Sequence, residues 1–155
     1  MKKLILSIIA LCAITTFSCG QTKSNAKRPN AKTAAEWKKI LTPDQFYIMV
    51  QSGTEPPFHN AYWNNHEAGT YVSAATGDVL FSSADKFDSG TGWPSFVKAV
   101  NPSVVEIRKD PDGEREEVIE RSTGLHLGHV FDDGPVERGG KRFCMESGAL
   151  KFIKK

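Results

Sequence analysis

Three patterns of apolar and polar positions divide the chain. Residues 4–17 are apolar except for Ser7, Thr15 and Thr16. Between Thr33 and Val50 the spacing becomes helical, with Trp37, Ile40 and Leu41 forming one stripe and Phe46, Tyr47 and Val50 a second. Steps of three and four residues return to the same face of a 3.6-residue turn, so two short helices are expected. Thr33 and Glu36 have the spacing of a capping box, and Thr42 before Pro43 marks the second helix start. The hydroxyl accepts an unpaired first-turn amide, and proline lacks one that would go unpaired. Gly53 is expected to close the second helix, since glycine takes a left-handed cap without a Cβ penalty. The pair reads as a packing clip rather than a cofactor site.

From Gly69 onward the period shortens toward two. Residues 70–74, 79–82, 104–108, 116–120, 129–132 and 141–146 read as strands. Thr76-Gly77-Asp78, Asp110-Pro111-Asp112-Gly113 and Asp133-Gly134-Pro135 punctuate them, the second fitting a hairpin tip. There is no internal repeat and no glycine-rich phosphate loop. The expectation is a mainly β, mostly antiparallel domain with short N-terminal helices.

Composition narrows the class. At 155 residues, 39% apolar and 25% charged, the chain has room for one compact domain and an appendage. Thirteen glycines, eight prolines, three cysteines and a 10% aromatic share exclude collagen-like, disulfide-framework and disordered chains. Lys2 and Lys3 before the apolar run, with Ser18, Cys19 and Gly20 after it, read as an export signal over residues 1–18. Fourteen residues of helix reach only about 21 Å, short of a hydrocarbon core of roughly 30 Å, so a permanent span is the weaker reading. Ser18-Cys19 is similar to the lipobox of bacterial lipoproteins, although Thr16 stands where leucine is favoured. Either Cys19 becomes the lipid-bearing first residue, or ordinary cleavage releases a soluble periplasmic or secreted protein. Residues 19–32 mix Ser, Thr, Asn, Gln, Lys and Pro without periodicity and read as a flexible tether, with the domain spanning 33–155. From Ile40 on there are 12 basic against 17 acidic side chains, so the domain is acidic and not built for nucleic acid.

Beyond the leader, Cys144 is the single thiol of the expected fold, and a lone cysteine is often an inert buried residue. In Arg142-Phe143-Cys144-Met145-Glu146, on what reads as the final strand, alternation puts Arg142, Cys144 and Glu146 on one face and Phe143 and Met145 on the other. The guanidinium favours the thiolate and Glu146 opposes it, which leaves both readings open. His126 and His129 would point to opposite faces of a regular strand. They share a site only if the chain kinks, and a bulge is expected at Gly128. The alternative is one buried and one exposed histidine. Two histidines alone are an incomplete metal set, and His59 and His66 read as surface or structural. Gly90 and Gly92 before Trp93-Pro94 turn the backbone so that an indole is presented from a loop, either to hold an S-methyl group or to plug the core.

Phe87-Asp88-Ser89-Gly90-Thr91-Gly92-Trp93-Pro94-Ser95-Phe96, then His126-Leu127-Gly128-His129-Val130-Phe131-Asp132-Asp133-Gly134-Pro135, then Arg142-Phe143-Cys144 with Leu150-Lys151-Phe152, closely resemble the B-type methionine sulfoxide reductases. The likeness covers roughly residues 36–153, including Leu41-Thr42-Pro43 and Gly53-Thr54-Glu55-Pro56-Pro57-Phe58. It implies two antiparallel β-sheets and a catalytic Cys144 that attacks the sulfur of methionine-R-sulfoxide and ends as a sulfenic acid. It further implies that His126 and His129 deliver protons to the departing oxygen and that Arg142 and Asp133 order the site. Trp93 would receive the S-methyl group, and Phe131 and Glu146 would line the substrate pocket.

Three departures qualify the resemblance. The zinc-binding cysteine pairs of many relatives fall on Ser73 and Thr76 and on or near Glu120 and Thr123, so no zinc or other cofactor is expected. The usual resolving cysteine falls on Thr91, which implies reduction by an external thiol, thioredoxin-like or small. Glu146 stands where many relatives carry asparagine, with an effect the residues leave open. The expectation is a monomeric, exported enzyme of the bacterial cell envelope, periplasmic or anchored through Cys19, acting on oxidised methionine in proteins or free. A non-catalytic binding module for methionine or oxidised-methionine ligands is the alternative; a cysteine hydrolase is less supported.

Overall fold

The computed structural model describes residues 28–111 and 113–155. The expected leader and Cys19 lie outside the described residues. Within the stretch expected as a tether, Arg28 donates through Nη1 and Nη2 to Glu106 at 3.0 and 2.9 Å and through Nη1 to the Arg121 carbonyl at 2.8 Å. Lys32 lies 5.1 Å from the Trp37 ring centre.

Helix α1 (Ala34–Ile40) and helix α2 (Pro43–Gln51) start as expected, with Thr33–Glu36 and Thr42–Gln45 closing reciprocal capping boxes. The stop differs. Ser52, not Gly53, takes the left-handed turn at φ 54°, and the Gly53 N–H donates to the Tyr47 carbonyl. A Cβ at Gly53 would lie 2.3 Å from the ring of Tyr47, a half-exposed side chain that would have to turn aside. The buried face is Trp37, Leu41, Ile48 and Met49, while Ile40 and Tyr47 face solvent. Of the two faces α2 offers, the one against Gly148 wins, because the missing Cβ at Gly148 opens a seat for Ile48.

Among the described residues nine strands follow: β1 (Gly69–Ser73), β2 (Val79–Ser82), β3 (Lys86–Phe87), β4 (Ser95–Phe96), β5 (Val105–Lys109), β6 (Glu116–Glu120), β7 (His126–Phe131), β8 (Arg142–Met145) and β9 (Leu150–Lys154). They form two antiparallel sheets, ordered β2-β1-β9 and β3-β4-β8-β7-β6-β5. Thus β8 is not the last strand, as read from the sequence; β9 returns to pair with β1 and closes the small sheet. Strands β3 and β4 are two residues each, too short to carry a periodicity. Between the sheets lie Tyr71, Leu80, Phe81, Phe96, Val118, Leu127, Phe143 and Met145. Phe81 stacks on Phe96 at 4.6 Å, and Tyr71 meets Phe96 edge-on at 5.0 Å. Burying Phe143 and Met145 turns the alternate residues of β8 toward the opposite face.

Candidate active site

The opposite face of β8 carries the thiol. Cys144 pairs in register with His129 of β7 and with Ser95 of β4, in the middle of the larger sheet. Its neighbours enclose a cavity of about 120 Å³ lined by Thr54, Trp93, Arg115, His129, Phe131, Cys144 and Glu146. Larger cavities of about 450 and 440 Å³ lie elsewhere, and neither is lined by a cysteine or a histidine. Trp93 reaches the site from the loop between β3 and β4, where Gly92 has φ +90° and a Cβ would sit 2.7 Å from the Phe58 amide nitrogen. The indole Nε1 is buried without a hydrogen-bond partner among the described residues.

A bulge brings the histidines together. Val118 pairs with Gly128 and Ile119 with His126, so β7 holds one residue more than β6 across that step. Gly128 has φ +150°, and a Cβ there would lie 2.2 Å from the Cys144 carbonyl oxygen. The two imidazole centres consequently stand 5.3 Å apart, edge to face. His129 lines the cavity, while His126 is buried behind it with Nε2 unpartnered among the described residues.

Each imidazole has a carboxylate from the β5–β6 hairpin, and neither carboxylate stood out in the sequence. His126 Nδ1 lies 2.8 Å from Glu117, whose other oxygen accepts from Arg108 at 2.6 Å. Burial pushes Glu117 up, but the hydrogen bonds and charges of His126 and Arg108 outweigh it and hold the carboxyl at about 2. His129 Nε2 lies 3.1 Å from Asp110, which also pairs with Arg115 at 2.9 Å. Burial lowers the His129 pKa, the Arg115 charge adds to that, and Asp110 only partly opposes it. Asp110 reads as an ordinary turn residue, and nothing local marks it. Glu117 gave a weak signal, a charged residue beside Val118 and Ile119 on a strand that proves to be buried.

Arg142 and Asp133 stand beside the cavity rather than in it. Arg142 donates from Nε and Nη2 to the two Asp133 oxygens, both at 2.8 Å, and its guanidinium lies 4.3 Å from the Phe131 ring centre. That clamp fixes Phe131 as a wall. Burial raises the Cys144 pKa; the Arg142 charge and a Thr91 contact lower it without prevailing, and the Glu146 charge adds to the rise. The competition expected between Arg142 and Glu146 is therefore settled by burial, and the resting group is a thiol. Thr91 Oγ1 stands 4.0 Å from Cys144 Sγ and shares a hydrogen bond with Ser89, which shares another with Ser95.

Outside the lining of the cavity, the residues at the zinc-pair positions satisfy one another. Thr76 and Thr123 donate to the two oxygens of Glu120, each at 2.6 Å, and Ser73 Oγ accepts the amides of Ala75 and Thr76. One carboxylate and three hydroxyls do not make the thiolate and imidazole set that zinc prefers. No group of three His, Cys, Asp or Glu among the described residues is placed to hold a metal. His59 and His66 bond within their own loop, to the Pro57 carbonyl and to Asn64.

Comparison with known proteins adds ancestry to this geometry. The family model of the SelR domain matches residues 41–154. A protein of Leptospira interrogans serogroup Icterohaemorrhagiae serovar Lai (strain 56601), named peptide methionine sulfoxide reductase MsrB, is 50% identical over 125 residues, covering 79% of this chain and 95% of its own length. A protein of the same name from Methanosarcina barkeri (strain Fusaro / DSM 804) is 46% identical over 129 residues, covering 82% of this chain and 90% of its own.

Proposed function

The chain belongs to the SelR-domain family, that of the B-type peptide methionine sulfoxide reductases, and from this premise we propose that it reduces methionine-R-sulfoxide to methionine at Cys144. The observation that carries the reading is a single thiol walled into a small cavity by an indole, a phenyl ring and an imidazole. Trp93 and Phe131 receive the S-methyl group and the methylene beside the sulfur, since aromatic faces hold methyl and sulfur atoms well. The sulfur of Cys144 attacks, oxygen passes to it, and the methionine sulfur gains the two electrons that Cys144 loses. The product on the protein is a sulfenic acid. His129 and His126 serve the proton transfers that accompany the attack, each held in one orientation by its carboxylate. Arg142 and Asp133 keep Phe131 and the mouth of the cavity in place.

A hydroxyl, not a second thiol, stands 4.0 Å from Sγ, which supports return of the sulfenic acid to the thiol by an external reductant, thioredoxin-like or small. The mutual satisfaction of Thr76, Glu120 and Thr123 supports a fold held without zinc. The signal-like residues 1–18 and Ser18-Cys19 support export to the bacterial cell envelope, as a lipid-anchored or periplasmic monomer acting on free or protein-bound sulfoxide.

With dithiothreitol as reductant, the protein is expected to consume the R epimer of N-acetylmethionine sulfoxide and spare the S epimer. Cys144→Ser should abolish that turnover, and full activity in this variant would refute the assignment.

A further inference from the structure

We propose that Glu146 is the acid that protonates the departing sulfoxide oxygen, and that Glu55, paired with it in a buried carboxyl dyad, is the positioning residue that keeps the proton there. The inference rests on the reduction reading above. Glu146 follows β8 two positions after Cys144, is 4% exposed and lines the same cavity as the thiol. Its Oε2 accepts the Glu55 amide at 2.9 Å. Glu55 in turn accepts the amides of Ser147 at 2.5 Å and Gly148 at 3.0 Å on its two carboxyl oxygens. Burial raises Glu55 as well, and its two amide donors oppose that rise, whereas Glu146 has one such donor and a carboxylate beside it. Two carboxyls so placed share a proton unequally, and the group with fewer donors keeps it.

The surroundings support that assignment. Burial raises Glu146; the Glu55 amide pulls it back and the Glu55 charge pushes it further, to about 7. The other charged or titratable groups facing it are His126 from β7, which lowers it, Cys144 from β8, and His129 and Arg115 across the cavity. Neither His129 nor Arg115 supplies a proton in its place. His129 is held below its ordinary range and is neutral at pH 7, and arginine does not release protons in this range.

The step balances without an added acid. Neutral His129 takes the Cys144 thiol proton as Sγ attacks, and Glu146 gives its proton to the sulfoxide oxygen. The attack joins Sγ to the methionine sulfur; that Sγ–S bond and the bond from the oxygen to the methionine sulfur then break as the oxygen passes to Sγ. The oxygen ends as the hydroxyl of the sulfenic acid, two electrons having moved from Cys144 to the methionine sulfur. His129 then returns a proton to Glu146 through solvent.

Single-turnover formation of methionine from N-acetylmethionine (R)-sulfoxide, followed with the full chain from about pH 5.5 to about pH 9, tests the proposal by isolating chemistry from thiol recycling. The wild-type rate is expected to fall as pH rises through about 7. Glu146→Gln should lower the neutral-pH rate by about 100-fold and remove that falling limb. Glu55→Gln deletes the neighbouring charge but keeps the amide, so it should move the limb to lower pH. A Glu146→Gln rate within about twofold of wild type, with the limb intact, overturns the proposal. So does a limb that Glu55→Gln leaves in place, and that measurement decides alone if Glu146→Gln does not fold. Wild-type protein without R-sulfoxide turnover fails the functional reading itself; turnover with a limb unmoved in both variants fails only this inference.

Discussion

Cys144 is a thiol at rest, and the groups around it are tuned against one another rather than toward a free thiolate. Such a site depends on its orienting carboxylates, and Glu117 is the most exposed to test, being buried between Arg108 and His126. Glu117→Gln should cut the single-turnover rate by about tenfold or more, because His126 then loses the partner that fixes its tautomer and tilt. The same residue gives an acid signature in stability. Its folded value of about 2 lies below the ordinary 4.5, so the folded state binds fewer protons than the unfolded one between those limits. Glu117 therefore stabilises the protein above about pH 4.5, on the order of 3 kcal/mol, and that contribution is lost as pH falls toward 2. Urea unfolding at neutral pH and near pH 3 should show the gap between wild type and Glu117→Gln narrowing in acid. A constant gap would mean that the ion pair contributes nothing of its own.

Among elements, the bulged strand β7 does the most. A regular strand would send His126 and His129 to opposite sides of the sheet, and the extra residue at Leu127–Gly128 turns both toward one side. Gly128→Ala combines a φ of +150° with a Cβ 2.2 Å from the Cys144 carbonyl. It should cost about 2–4 kcal/mol of stability and separate the histidines from the thiol. Urea unfolding and R-sulfoxide turnover would both register it, and wild-type values in both would show that the bulge does not depend on glycine. The bulge was legible because glycine between two histidines three residues apart is a local signal. The helix starts were legible for the same reason, since a capping box closes within four residues. The burial of Ile48 over Tyr47 was not, because Ile48 seats against Gly148, a hundred residues away in the chain. Strand β9 escaped notice because its partner β1 lies at the other end of the domain, and no adjoining turn announces the pairing.

In the molecule as a whole, two structural seams hold the catalytic sheet to its surroundings. One is the Glu55 crossing to Ser147 and Gly148; the other is Glu120 clasped by Thr76 and Thr123, which joins the β1–β2 turn to the end of β6. Each hydroxyl bond to a buried carboxyl is worth about 1.5–3 kcal/mol if the carboxyl is charged. The double variant Thr76→Val with Thr123→Val should therefore lose about 3–6 kcal/mol in urea unfolding. A chelator should leave the melting midpoint of the wild type unchanged; a drop on chelation would show a metal in the clasp. The chain by itself determined the class of chemistry: a lone cysteine, an imidazole pair around glycine and an indole between glycine and proline are identities written within short windows. It also determined where the helices start and most of the strands, because capping and alternation act over a few residues. Only the tertiary structure decided which carboxylates orient the two imidazoles, that burial overrides Arg142 at the thiol, and that Glu55 faces Glu146. Those outcomes depend on desolvation and on contacts between segments far apart in sequence, and neither exists until the sheets have packed.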